Sequence, residues 1–214
     1  MSIASGQISS FLEEHFRKNL LIYFLVFISL IIGVVFGTVV VGRLEPGQSE
    51  DVLRYLEEFF KGYDLKKLDT KEVVARERVM GNLQVLGITW LLGLSIIGTP
   101  LIIMILFVRG FIIGFTVGFL IRELVAKGIF IAILSVLPHN LLFLPALSLL
   151  AIGAFSFAYT FVKNKKSRHR PVIYHNILGY TGLGVIVLIL GIGAGLVEAY
   201  VTPVFMSIIA KYLI

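Results

Sequence analysis

Cysteine is absent from this 214-residue chain and charge is scarce, with Asp, Glu, Lys and Arg making up 15% of the residues. The first absence excludes disulfides, thiolate metal ligation and a cysteine nucleophile. The second falls well short of the quarter or so that a water-soluble domain carries. It is also concentrated: Asn19–Val41, Leu83–Val108, Leu141–Val162 and Asn176–Val197 contain no acidic or basic side chain at all. About twenty helical residues cross the roughly 30 Å hydrocarbon core of a bilayer, so each run is long enough to span. No span contains an aspartate and the chain has no H-E-x-x-H, which removes paired-aspartate catalysis and the zinc-protease motif from consideration. No cofactor and no metal site is expected, and the chain is read as a non-enzyme.

What is present is apolar: 57% of residues are hydrophobic. In lipid a spanning segment must satisfy its own backbone, so the fold class is all-α, a polytopic membrane helical bundle. The net charge of +6 does not point to nucleic acid, because five of the nineteen basic residues sit in Lys163–Arg170, directly after an apolar run. That is the signature of membrane orientation. Arg17 and Lys18 precede the first run, which is too long for a signal-peptide core and is read as a retained helix. Ile8, Phe11, Leu12 and Phe16 fall at helical spacing before it, which predicts a short amphipathic segment on the cytoplasmic surface over residues 1–18.

Placing Arg17, Lys18, Arg109 and the Lys163–Arg170 cluster in the cytoplasm gives about five crossings in the cell membrane, with the N-terminus cytoplasmic and the C-terminus external. The first helix covers residues 19–41, and the bundle continues over 82–200. Gly110–Ile121 and Gly128–Leu137 are each too short for comfort. Residues 110–145 are therefore expected to be a broken region with a short or re-entrant segment. The path also takes Leu83–Val108 as a single span. Residues 42–81 hold eight basic and nine acidic residues and read as an external helical hairpin. Ser49 is the expected cap of its first helix, and Tyr55, Phe59 and Phe60 on one face form a candidate docking surface for external or cell-envelope proteins. The apolar ending 201–214 predicts a C-terminal interfacial helix.

Gly110, Gly114 and Gly118 form a G-x-x-x-G-x-x-x-G series, and Gly33/Gly37 and Gly191/Gly195 repeat the spacing. Small residues four apart let lipid-embedded backbones approach closely, for packing within the bundle or in a homodimer. Polar residues in the apolar zone are costly unless paired, which singles out Pro138, His139, Asn140, Glu198 and Arg109 as a candidate polar site. A histidine that satisfies backbone groups near Pro138 is one reading, and a ligand or proton carrier facing Glu198 is the other.

These residues also carry a resemblance. The string Pro138-His139-Asn140-Leu141-Leu142-Phe143-Leu144-Pro145-Ala146 resembles the P-H-G-x-x-E-L-P-A signature of the stage II sporulation protein M family. Gly93 to Pro100, followed by Arg109-Gly110 and Gly114, is similar to the family's glycine-rich second-to-third helix region, where Asn-Gly is usual. Glu198 to Pro203 resembles its closing E-x-x-x-T-P element. The chain departs from the pattern at Asn140, at Phe143 in place of glutamate, and at Arg109 in place of asparagine. The resemblance implies a polytopic membrane protein. The sporulation member is regarded as the membrane scaffold that localises peptidoglycan-cleaving enzymes in the engulfment machine. Members occur widely in organisms that form no spores, so the resemblance implies fold and placement more than process. A membrane scaffold is the favoured function. A transporter or permease using the broken helix region is the alternative.

Overall fold

The computed structural model describes residues 2–62, 71–164 and 170–205, with side chains for 19–54, 72–162 and 176–205. Among the described residues the regular structure is entirely helical. It comprises α1 (Ser2–Gly42), α2 (Pro46–Gly62), α3 (Lys71–Gly93), α4 (Thr99–Asn164) and α5 (Arg170–Leu196), with a 3-10 turn at Ile96–Gly98 and a π-helical turn at Val197–Val201. Among the described residues, three stretches are long and apolar enough to cross a membrane: Asn19–Gly42, Ile96–Val162 and Asn176–Phe205.

α1 has a non-helical residue at Asn19 (φ −115°, ψ 16°), where the charged N-terminal segment meets the apolar run. Pro46 opens α2, its fixed φ suiting a first helical position. Gln48 Oε1 accepts the Glu45 N–H at 3.1 Å, a capping-box contact from three residues on. Ser49 is therefore not the cap. Its N–H already bonds the Glu45 carbonyl inside the first turn, and its own hydroxyl is buried without a partner.

The run Leu83–Val108 is not one span. The chain leaves α3 at Gly93, turns through residues 94–98 with Ser95 Oγ accepting the Ile97 N–H, and starts α4 at Thr99-Pro100. A Cβ on Gly98 would collide with the Leu92 backbone, so the reversal needs a residue without one. Absence of charge marks an apolar environment, and a turn can lie within it.

α4 is too long to be straight. Arg109 and Phe143 would stand about 50 Å apart along one helix, yet the guanidinium carbon lies 4.6 Å from the ring centroid. The chain reverses at Val125 (φ 48°, ψ −122°), giving arms over 99–124 and 126–164. Leu120, Ile131 and Ala132 pack across the bend with Val117, Leu124 and Leu134. The irregular backbone expected near Pro138 is thus displaced. Pro138 and Pro145 both lie inside the helical second arm, and within 110–145 the non-helical residue is Val125. A left-handed φ is costly for a β-branched side chain. Val125→Gly is expected to stabilise the protein by about 1 kcal/mol, read as a higher melting temperature; a lower one would contradict the strain.

Paired contacts fix the directions. α1 runs parallel to the first α4 arm, with Leu30 at Gly110, Val34 at Gly114 and Thr38 at Gly118. α5 runs antiparallel to the second arm, with Ala194 at His139 and Leu183 at Gly153. α3 runs antiparallel to α5, with Val79 at Gly195 and Trp90 at Gly184. Five segments therefore alternate in direction. Arg122 fastens the far end by donating to the carbonyls of Val41 and Leu44, the open C-terminal end of α1. The core holds Val26, Leu86, Ile102, Leu106, Phe143, Leu147, Leu150 and Val187, all essentially inaccessible.

Candidate functional site

Five side chains from four helical segments meet in a row at the centre of this bundle. The first α4 arm supplies Arg109, the second supplies His139 and Phe143, the π-helical turn that continues α5 supplies Glu198, and α3 supplies Arg78. Their order follows from local spacing. His139 and Phe143 are four apart and share one helix face, so the imidazole stacks on the ring at 5.4 Å between centroids. Arg109 lies over the same ring. The π-helical turn begins one residue before Glu198, a widened geometry that is frequent at functional sites.

Glu198 is the hub. Its Oε1 accepts from Arg78 Nη1 at 3.0 Å, and its Oε2 lies 3.4 Å from His139 Nδ1. The same nitrogen is 3.3 Å from the Ala194 carbonyl oxygen. A carboxylate and a carbonyl only accept, so Nδ1 carries the hydrogen. Arg78 is 43% exposed and Glu198 23%, whereas His139 is buried and Phe143 wholly so. The row thus opens at its Arg78 end and is buried at His139 and Phe143, with Arg109 half-buried beyond them.

Depth follows from register. Leu30 of α1 sits at Gly110, near the midpoint of Asn19–Gly42, so Arg109 lies at mid-height of that helix rather than in a connection between spans. Charged groups at such a depth are tolerated when paired.

Of the five expected polar residues, Arg109, His139 and Glu198 come together. Pro138 lies in the helix beside them, and Asn140 turns its amide to the Val136 carbonyl at 2.8 Å. Gly110 and Gly114 touch the α1 backbone, and Gly118 faces Thr38 at 3.3 Å from a built Cβ. Gly191 meets Leu86 and Gly195 meets Val79, while Asn82 Nδ2 reaches the Gly191 carbonyl. The side chains of Tyr55, Phe59 and Phe60 lie outside the described residues. Arg78 and Phe143 were not anticipated. Arg78 counted among the charges of the 42–81 segment, although it stands one turn before Asn82 on a face leading into the bundle.

Two of the three positions that depart from the resemblance, Arg109 and Phe143, touch each other. A cation over a ring replaces the polar pairing that asparagine and glutamate would offer there. Phe143→Glu is consequently expected to be tolerated, since Arg109 can answer a carboxylate at that place. In an Arg109→Leu background the same change should abolish stable membrane accumulation, because the charge is then buried without its cation. Equal accumulation of both proteins would contradict the pairing.

A family model, described as stage II sporulation protein M, matches residues 23–203, a range that includes all five side chains. No curated protein and no solved structure matches the chain.

Proposed function

This chain belongs to the stage II sporulation protein M family, and on that premise we propose that it is a non-enzymatic membrane scaffold. Its five alternating segments cross the membrane, with the Lys163–Arg170 end cytoplasmic and α2 outside. The observation that carries the reading is how the central charges are used. Arg78, Glu198 and His139 bond to one another, and Arg109 rests on Phe143. Beneath them lies a fully buried apolar core. The arrangement ties four helical segments together and makes a rigid platform. α2 stands at the outer end of that platform, held at its root through Arg122 and the Val41 and Leu44 carbonyls. Its apolar residues Tyr55, Phe59 and Phe60, which fall on one face by helical spacing, are the proposed docking surface for cell-envelope partners.

Co-purification from native membranes of the full chain and of a version lacking residues 49–71 tests this. Partners are expected with the first and not the second; equal recovery would defeat the docking role. One observation favours a second reading, a transporter. His139 and Glu198 approach to 3.4 Å at bundle depth, and the Arg78–Glu198 pair is partly open. A polar path through the helices would need such a point.

A further inference from the structure

The outer face of α3 is unusual for a helix at this depth. Its inner face, with Asn82, Leu86 and Thr89, is buried. On the opposite side Glu77, Gln84 and Leu91 recur every seven residues, all exposed. Met80 and Ile88 flank them and are also exposed. In the antiparallel register with α5, where Val79 meets Gly195 and Trp90 meets Gly184, Gln84 is level with Leu190. That is the middle of the apolar stretch Asn176–Phe205. No hydrogen bond within the described residues satisfies the Gln84 amide. Hydrocarbon offers no partner either, so the amide is a liability there unless another helix supplies one.

We propose that this face is the contact between two copies of the chain, packed about a two-fold axis along the membrane normal. This rests on the five-crossing reading above. Three features select a second copy over another occupant. A carboxamide both donates and accepts, so Gln84 can pair with its own symmetry mate at the same depth. The seven-residue recurrence is the seam of a left-handed helix pair, in which one polar position sets the register. A built Cβ on Gly81 or Gly87, beside that seam, meets nothing within 4 Å, leaving room for a neighbouring backbone. At the polar end Arg76 and Glu77 are both exposed, so each copy offers the other an opposite charge. The glycines of α1 and the first α4 arm are not available for this contact, because they are already packed on each other.

The cysteine-free chain makes the test clean. Single-cysteine proteins Gln84→Cys, Leu91→Cys and, on the outer face of α5, Ile189→Cys are oxidised in native membranes. Leu91→Cys, which keeps the Gln84 amide, is expected to yield a disulfide-linked band at twice the monomer mass, and Ile189→Cys none; Gln84→Cys serves to report the depth of α3. Adding Gln84→Leu to Leu91→Cys should lower the crosslinked fraction about fivefold. Parallel treatment with a water-soluble maleimide separates the two ways of failing. Rapid labelling of Gln84→Cys would overturn the membrane placement of α3 and the proposal with it. Protection from labelling without crosslinking would overturn the dimer alone. A crosslink to a protein of another mass, or an unchanged yield with Gln84→Leu, would also overturn it.

Discussion

Gly114→Ala is expected to destabilise the protein strongly, by about 2–3 kcal/mol, while Gly182→Ala raises stability slightly. Both changes add one methyl group to a helix, and both gain helix propensity of up to about 1 kcal/mol. They differ in what the methyl meets. At Gly114 it would lie 2.7 Å from Val34 Cα, closer than real Cβ atoms approach backbone. At Gly182 it meets nothing within 4 Å. Thr38 Oγ1 also reaches the Gly114 carbonyl at 3.2 Å, and Phe36 packs on Phe107 and Phe111 across the same seam. A methyl that pushes the helices apart therefore loosens all of these contacts. Melting temperatures of the two variants in one detergent decide the matter. Equal values would show that α1 and α4 do not meet backbone to backbone.

Glu198→Ala carries the second large effect. Removing the hub leaves Arg78 without its acceptor and His139 with the Ala194 carbonyl alone, and a stranded partner costs more than the bond was worth. Arg78 is 43% exposed, so solvent relieves part of that cost. A net loss of about 1–3 kcal/mol is expected. The pairing itself shows in a double-mutant cycle. Once Glu198 is gone, His139→Ala should cost less than it does alone, with a coupling of about 0.5–1.5 kcal/mol. Additive losses would mean that the 3.4 Å approach of the two groups contributes nothing to stability.

The class of the fold was legible from charge-free runs, because a bilayer imposes length and apolarity on a helix whatever its neighbours. Turns inside those runs were not. Residues 94–98 reverse the chain without a single charge. Between the α4 arms Arg122, Glu123, Lys127 and Gly128 do interrupt the apolar sequence, but nothing in it singles out Val125, a β-branched residue, as the left-handed position. Pro138 gave the opposite error: a proline reads as a break, yet in a packed membrane helix the surroundings hold it in line. The central row was half legible. Arg109, His139 and Glu198 stood out as polar residues in or beside apolar runs. Phe143 did not, although it lies one turn from His139. Arg78 was hidden among the charges of its own segment, and only the α3–α5 register shows that it reaches Glu198.

The claim that matters most is that the centre is closed, its charges bonded to each other and not to a passing solute. Ala194 is fully buried, and its carbonyl faces His139. Val73, on the outer part of α3, is 54% exposed. With no other cysteine in the chain, Ala194→Cys and Val73→Cys can each be treated in intact membranes with a membrane-impermeant thiol reagent. The scaffold account predicts that Val73→Cys reacts and Ala194→Cys stays protected from both sides of the membrane. Labelling of Ala194→Cys at a rate matching Val73→Cys would contradict it and place a water-filled path through the bundle.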